Sequence, residues 1–250
     1  MKPSSHHLLL ILLAGLAGGG CSTIGQPLTA EPYSEFGAGA LVAGVSTGLS
    51  FNTVEAEAAG QTGVLEGRTG TDTADLENKY GGTMKLSYMA TDNLQVGGAL
   101  KIIHAEADPI APLSATLSAD PFDTYTFLLS SRYFFDPIGE SRRWRPYVGV
   151  DLGYSLGADL GSVRVEYPAE TGFPDEFEDI KGSPYWTLGA LVGISYLITD
   201  NLSLDMAAVY DRSITSGGST TVYDNLGGAS ADVALDQESY IIGIGLSYAF

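Results

Sequence analysis

The last twelve residues, Ser239 to Phe250, alternate between large apolar side chains and mostly small ones. The large face consists of Tyr240, Ile242, Ile244, Leu246, Tyr248 and Phe250. A period of two predicts a β-strand. A strand face that meets water carries polar or charged residues, and the large face of this strand carries none. We therefore expect that face to pack against something apolar, either a second sheet or lipid.

Seven further segments carry a similar pattern, which is weakest in the first because it is rich in glycine and alanine. The eight predicted strands are 36–51, 80–90, 93–105, 123–135, 145–157, 184–198, 201–212 and 238–250. Beyond residue 21, no apolar run reaches the roughly 18 residues that a membrane-spanning helix needs. The repeated period predicts an all-β protein.

The connections between these segments alternate between short and long. The short ones are 91–93, 136–143 and 199–201, and the long ones are 52–79, 106–122, 158–183 and 213–237. This alternation is typical of an up-and-down membrane barrel with short periplasmic turns and long external loops. A soluble periplasmic barrel or sandwich is the alternative, but such long loops are uncommon in a compact soluble domain. We predict an eight-stranded antiparallel up-and-down transmembrane β-barrel.

Several motifs resemble those of known small barrels. They are Arg132-Tyr133-Phe134-Phe135, the stretch from Arg145 to Tyr154, Thr199-Asp200-Asn201-Leu202 and the terminal Tyr248-Ala249-Phe250. Together they resemble the OmpW-like and OmpA-like eight-stranded families from about Ser34 to the end of the chain. The resemblance implies the outer membrane of a Gram-negative bacterium, with both termini in the periplasm. It also implies lipid and lipopolysaccharide as neighbours, and recognition of Phe250 by the barrel-assembly machinery.

The N-terminus has the features of an export signal. Lys2 precedes an apolar run from Leu8 to Leu16, and small residues follow immediately before Cys21. This pattern predicts a signal peptide over 1–20, a periplasmic linker over 21–33 and a barrel over 34–250. The small residues before Cys21 resemble a lipoprotein cleavage site, so acylation of Cys21 is one interpretation. An ordinary signal peptide cut near Gly20 is the other.

Charge and composition narrow the range of functions. The chain contains 32 glycines and 14 tyrosines, which suits a barrel wall with aromatic residues at the membrane interfaces. Its net charge of −18 excludes a nucleic-acid partner, because binding phosphates requires a basic surface. Four carboxylates flank Phe177, namely Asp175, Glu176, Glu178 and Asp179. They predict either a divalent-cation site facing lipopolysaccharide or simply a solvated acidic loop.

The strand parities place six charged residues inside the barrel. They are the bases Lys85, Lys101 and Arg132 and the acids Asp151, Asp205 and Asp211. Buried charges without partners are costly, so we expect them to pair and to fill the lumen. We expect Arg132, Asp151 and Asp205 to lie at similar depth. A static network and an ion gate are both open interpretations.

Nothing in the sequence predicts an enzyme. His104 is the single histidine left after removal of the signal, and no serine motif accompanies it. No metal-ligand spacing or nucleotide motif is present, so we expect no cofactor. Two functions remain: a structural barrel that displays acidic loops at the surface, as in OmpA-like proteins, or a small porin-like channel. As the OmpW resemblance implies, such a channel would pass small, including apolar, solutes.

Overall fold

The structure is a computed structural model that describes residues 33–111, 113, 116–157, 159–167, 174–223 and 229–250. The predicted signal peptide, most of the predicted linker and Cys21 lie outside these residues. Within the described part, no helix is long and apolar enough to cross a membrane.

Twelve strands make up nearly all of the regular structure. In chain order they are β1 Leu41–Gly60, β2 Thr69–Met89, β3 Leu94–Ala107, β4 Thr116–Ser118, β5 Phe122–Phe134, β6 Trp144–Ser155, β7 Asp159–Glu166, β8 Glu176–Lys181, β9 Tyr185–Leu197, β10 Leu202–Ser213, β11 Gly217–Tyr223 and β12 Ala229–Ala249.

Eight of the strands form a closed antiparallel ring. The order is β1-β2-β3-β5-β6-β9-β10-β12, and β12 returns to β1 from the pair Val42–Ala249 to the pair Gly60–Ala231. This ring confirms the predicted fold. We call the end with the short turns and Phe250 the lower end, and the opposite end the upper end.

The apolar alternation in the sequence corresponds to the outer face of this ring. Leu49 is 73% exposed and Ile242 is 64% exposed, whereas the inward Val42 is fully buried. Aromatic side chains pack in pairs at both ends of the wall. Tyr248 and Phe250 form such a pair at the lower end, and Tyr154 and Trp186 form one higher up. An apolar band between aromatic residues is the surface that a bilayer requires.

The long loops predicted above the barrel are largely strands, so this prediction was wrong. β1 continues to Gly60 and β2 begins at Thr69, across most of the predicted loop 52–79. In this upper part Ala56 and Ala58 point inward and are buried, while Glu55 and Glu57 are exposed. The outward-facing residues are polar here, whereas lower in the wall they are apolar, because the outer face meets water instead of lipid.

A small second sheet lies over the upper end. Its order is β4-β7-β8. Val163 and Val165 of β7 are buried against Leu117 of β4 and against Ala229 and Ala231 at the start of β12. The three strands therefore cover the mouth of the ring.

The chain before β1 folds under the lower end. Residues Ser34–Phe36 form a 3₁₀ turn, and β1 begins at Leu41, so the predicted start of the first strand at residue 36 was wrong. Tyr33 and Phe36 are both buried in one cluster with Met89, Phe134 and Tyr147. This cluster, which we call the lower plug, fills the bottom of the ring.

Candidate functional site

An apolar pocket of about 130 Å³ lies inside the upper end of the ring. Its walls come from the strand extensions and from the covering sheet: Val54, Leu76, Ile103, Phe122, Val163 and Val233. These residues were not predicted from the sequence, because most of them lie in segments that were assigned to loops. The available signal was alternation with acidic residues on the outward parity, as in the stretch from Val54 to Ala58.

The seam between β1 and β2 is interrupted just below this pocket. The strands pair up to Ser46 and Thr83, and pairing resumes at Asn52 and Leu76. Over this interval β2 has one more residue than β1, which is the mark of a bulge. The β1 residues from Ser46 to Leu49 are exposed on both faces. The Thr47 hydroxyl donates a hydrogen bond to the Gly81 carbonyl oxygen (2.8 Å) across the interruption.

A second cavity, of about 410 Å³, occupies the lumen below the apolar pocket. All six charged residues assigned to the lumen from the sequence line it. Residues on both sides of the interrupted seam also line it, from Ser46 to Ser50 on β1 and from Tyr80 to Thr83 on β2. Ile103 lines both this cavity and the apolar pocket. The lumen is therefore not completely filled by side chains, contrary to our expectation.

Two ion pairs join four of the six charged residues. Lys85 Nζ lies 3.0 Å from Asp205 Oδ2, and Lys101 Nζ lies 2.7 Å from Asp211 Oδ2. The Ser247 hydroxyl also donates to Asp205 Oδ2. Both pairs connect strands that are not neighbours in the ring, so each crosses part of the lumen.

Arg132 and Asp151 have no ion pair among the described residues. Arg132 instead lies over the ring of Tyr147, with Cζ 5.5 Å from the ring centre. Asp151 Oδ1 is buried and accepts no hydrogen bond. Arg132 and Asp205 lie near the lower ends of β5 and β10, and Asp151 lies farther along β6. The expectation that the three share one depth stays a prediction.

The lower plug is fixed to the barrel by polar contacts. The Tyr33 hydroxyl lies 2.6 Å from the Arg143 carbonyl oxygen and 2.7 Å from that of Ser195, so it can donate to either. The guanidinium of Arg145 lies between the rings of Tyr33 and Phe134, at 5.4 and 5.1 Å from their centres. Burial raises the pKa of the Tyr33 phenol. The plug therefore closes the lower end with its hydroxyl un-ionised at neutral pH.

His104 lies on the outer wall, as its parity predicted. Its Nδ1 is 2.9 Å from Asp123 Oδ1, and its ring stacks on Tyr80 with ring centres 4.6 Å apart. No serine or cysteine contacts this pair among the described residues. Within the same residues, no group of three or more histidine, cysteine or acidic side chains is arranged to hold a metal ion.

The acidic stretch around Phe177 is only partly described. Asp175 Oδ2 lies 2.6 Å from Arg164 Nη2, and Glu166 Oε1 lies 2.8 Å from Arg164 Nη1. The side chains of the other three predicted cation ligands, Glu176, Glu178 and Asp179, lie outside the described ones. Asp175 is therefore engaged by a protein cation.

Comparisons with known proteins identify the fold. No protein-family model and no curated protein matches the sequence. The outer-membrane protein OprG of Pseudomonas aeruginosa is similar in structure, with 16% identity and a TM-score of 0.57 over 85% of this chain and 97% of OprG. The outer-membrane protein AlkL, determined in lipid bilayers, has 18% identity and a TM-score of 0.57 over 90% of this chain and 95% of AlkL. The chain thus has the fold of the small eight-stranded outer-membrane β-barrel proteins.

Proposed function

We propose that this protein is an outer-membrane barrel that takes up small apolar solutes from outside the cell and releases them sideways into the bilayer. The observation that carries the proposal is the position of the apolar pocket directly above the interrupted seam. Leu76 lines the pocket and also forms, with Asn52, the first strand pair above the interruption. A solute in the pocket is therefore adjacent to the part of the wall where the pairing between β1 and β2 is interrupted.

The orientation follows from the general architecture of such barrels. In such barrels short turns face the periplasm and long extensions face outward, so we take the upper end, with the apolar pocket, as the external side. OprG and AlkL, with the same fold, are outer-membrane proteins. The exposed acidic residues of the extensions, such as Glu55 and Glu57, keep this outer part in water.

The pocket suits a small apolar molecule in size and chemistry. A dry apolar cavity of roughly 150 Å³ can hold benzene, and this pocket measures about 130 Å³. Removal of apolar surface from water stabilises the bound solute by about 25 cal/mol per Å². The pocket thus concentrates apolar molecules that lipopolysaccharide holds back.

The exit is lateral because the straight path is closed. The lower plug fills the bottom of the lumen with Tyr33, Phe36, Met89, Phe134 and Tyr147. Between Ser46 and Asn52, the β1–β2 seam lacks the regular ladder that closes the rest of the ring. The side chains facing lipid beside it, Leu49 and Phe51, are apolar. A solute leaving there passes from the apolar pocket, across the part of the lumen cavity that the seam residues line, to the apolar outer face.

A structural, surface-displayed barrel is the second candidate. The closed lower end and the two ion pairs across the lumen favour it, since both stabilise the ring without serving transport. This function needs neither the apolar pocket nor the interrupted seam. Solute binding therefore distinguishes the two.

The test is to fill the pocket. Ala105 points into it and is 2% exposed, so Ala105→Phe should occupy its volume. We expect the refolded protein to bind fluorobenzene by ¹⁹F NMR and this variant to lose at least tenfold in affinity. Thr73→Phe, on the exposed outer face of β2, is the matched control. Absence of binding by the folded wild-type protein would leave the structural function.

A further inference from the structure

Among the described residues that line the lumen cavity, one cation and one anion have no ion-pair partner. Of the six charged residues that line it, four are consumed by the Lys85–Asp205 and Lys101–Asp211 pairs. Arg132 and Asp151 remain, and neither has an ion pair or a hydrogen bond with a described residue. Since unpaired charges in a barrel lumen are costly, these two are the polar groups there that gain most from a ligand.

Strand register fixes the spacing of these two charges. Ser130 of β5 pairs directly with Asp151 of β6, and Arg132 lies two residues farther along β5. Such diagonal neighbours have their backbones about 7–8 Å apart. Arg132 is turned away from Asp151, with its guanidinium over the Tyr147 ring. The positive group and the negative one therefore form no ion pair with each other, although both line the same cavity.

The surroundings of Asp151 suit an ammonium group. Ser130 Oγ and Asp211 Oδ1 are also buried and without a hydrogen-bond donor. Gly189 lies between the two aspartates, and a Cβ placed on it would be 3.5 Å from Asp151 Cβ and 3.6 Å from Asp211 Oδ1. Ser130, Asp151, Gly189 and Asp211 are consecutive partners across four neighbouring strands, so the three oxygen acceptors lie on one stretch of the inner wall. An ammonium group has three donors.

The surroundings of Arg132 suit a carboxylate. A guanidinium offers a planar fork of donors that matches a carboxylate in a bidentate arrangement. The other base nearest the lower end, Lys85, is already neutralised by Asp205. A simple anion would therefore satisfy Arg132 and leave Asp151 unpaired, and a simple cation would do the reverse.

We propose that the lumen cavity binds a small zwitterion such as an α-amino acid, with its carboxylate on Arg132 and its ammonium group on Asp151. This site lies below the apolar pocket and is independent of the proposed uptake of apolar solutes. The barrel would then bind a second class of ligand, small molecules that carry an ammonium group and a carboxylate.

The test compares four probes of similar size on the refolded protein by isothermal titration calorimetry. They are L-alanine, propionate, propylammonium and the neutral lactamide. We expect L-alanine to bind at least tenfold more tightly than each of the others. Equal binding of propionate or propylammonium, or no binding of L-alanine, would overturn the proposal, and wild-type protein alone suffices for this comparison.

Two variants then assign the charges. We expect Arg132→Gln and Asp151→Asn each to weaken L-alanine binding at least tenfold, with folding confirmed by a heat-dependent gel shift. Arg68→Gln and Glu57→Gln remove the same charges from exposed positions and should leave the affinity unchanged. Ala105→Phe should also leave it unchanged, which separates this site from the apolar pocket. Unaltered binding in Asp151→Asn would contradict the assignment.

Discussion

Lys85 Nζ lies 3.0 Å from Asp205 Oδ2, although β2 and β10 are separated in the ring by β1 and β12. Asp205 is also held by the Ser247 hydroxyl. Breaking a buried ion pair by removing one partner typically costs about 3–5 kcal/mol, because the other charge is left unpaired. We predict that Asp205→Asn lowers the free energy of unfolding by about 3 kcal/mol, measured by urea titration of tryptophan fluorescence in lipid bilayers.

Asp151→Asn is the matched control for the loss of stability expected in Asp205→Asn. It removes the same charge from the same lumen, but Asp151 has no ion pair among the described residues. We expect stability to stay the same or to increase. The double variant Lys85→Met/Asp205→Leu should recover most of the stability lost in Asp205→Asn, since an apolar pair can replace a buried ion pair. If Asp205→Asn and Asp151→Asn lower the free energy of unfolding equally, the Lys85–Asp205 ion pair does not contribute specifically to stability.

Because the lower plug closes the lumen, we predict that the wild-type barrel conducts no ions and that removal of plug side chains makes it conduct. The wild-type protein should show no discrete conductance steps in a planar lipid bilayer, because aromatic side chains fill the lower end. Tyr33→Ala/Phe36→Ala removes two of these rings and should produce steps. The matched control is Phe51→Ala, which removes an exposed ring from the outer wall. Steps of equal size in wild type and double variant would place the barrier elsewhere.

Tyr33 also predicts a dependence on alkaline pH. Burial raises the pKa of its phenol above the ordinary value, so the folded state favours the neutral form. This stabilisation is complete below about pH 10, the ordinary pKa of tyrosine, and declines as pH rises toward the folded pKa. We expect ultraviolet titration of the wild-type protein to show one more late-ionising tyrosine than Tyr33→Phe. A difference between the two curves that appears near pH 10, the ordinary pKa of tyrosine, would mean that Tyr33 is solvated.

The sequence predicted the membrane-facing half of this structure better than the half above it. Within the bilayer the outward parity is apolar, as in the stretch from Tyr240 to Tyr248, and the period identified each strand. Above it the outward parity becomes acidic while Val54 and Ala56 turn inward. That pattern is the one for a strand in water, and without a boundary to signal the change the segment resembled an acidic loop.

The lumen residues show a second limit of sequence analysis. Parity placed Lys85, Arg132 and Asp205 inside the barrel, but not their depth or their partners. Those depend on strand tilt and on side-chain direction, such as the stacking of Arg132 on Tyr147. The interruption of the β1–β2 seam could not be predicted from the sequence either, because a bulge adds one residue to one strand without changing its composition.

The most direct test of lateral release is to close the seam. Thr47→Cys and Gly82→Cys, in a Cys21→Ser background, place two thiols across the unpaired interval, and a short bifunctional thiol reagent can join them. Val45→Cys/Met84→Cys, at a paired position of the same seam, is the control for the chemistry.

The measurement is the initial rate of ¹⁴C-benzene uptake by Gram-negative cells that display each variant, before and after cross-linking. If solutes leave between β1 and β2, cross-linking at 47 and 82 should reduce the protein-dependent rate at least tenfold, while cross-linking at 45 and 84 leaves it unchanged. An uptake rate that is unaffected by closing the 47–82 interval would contradict lateral release.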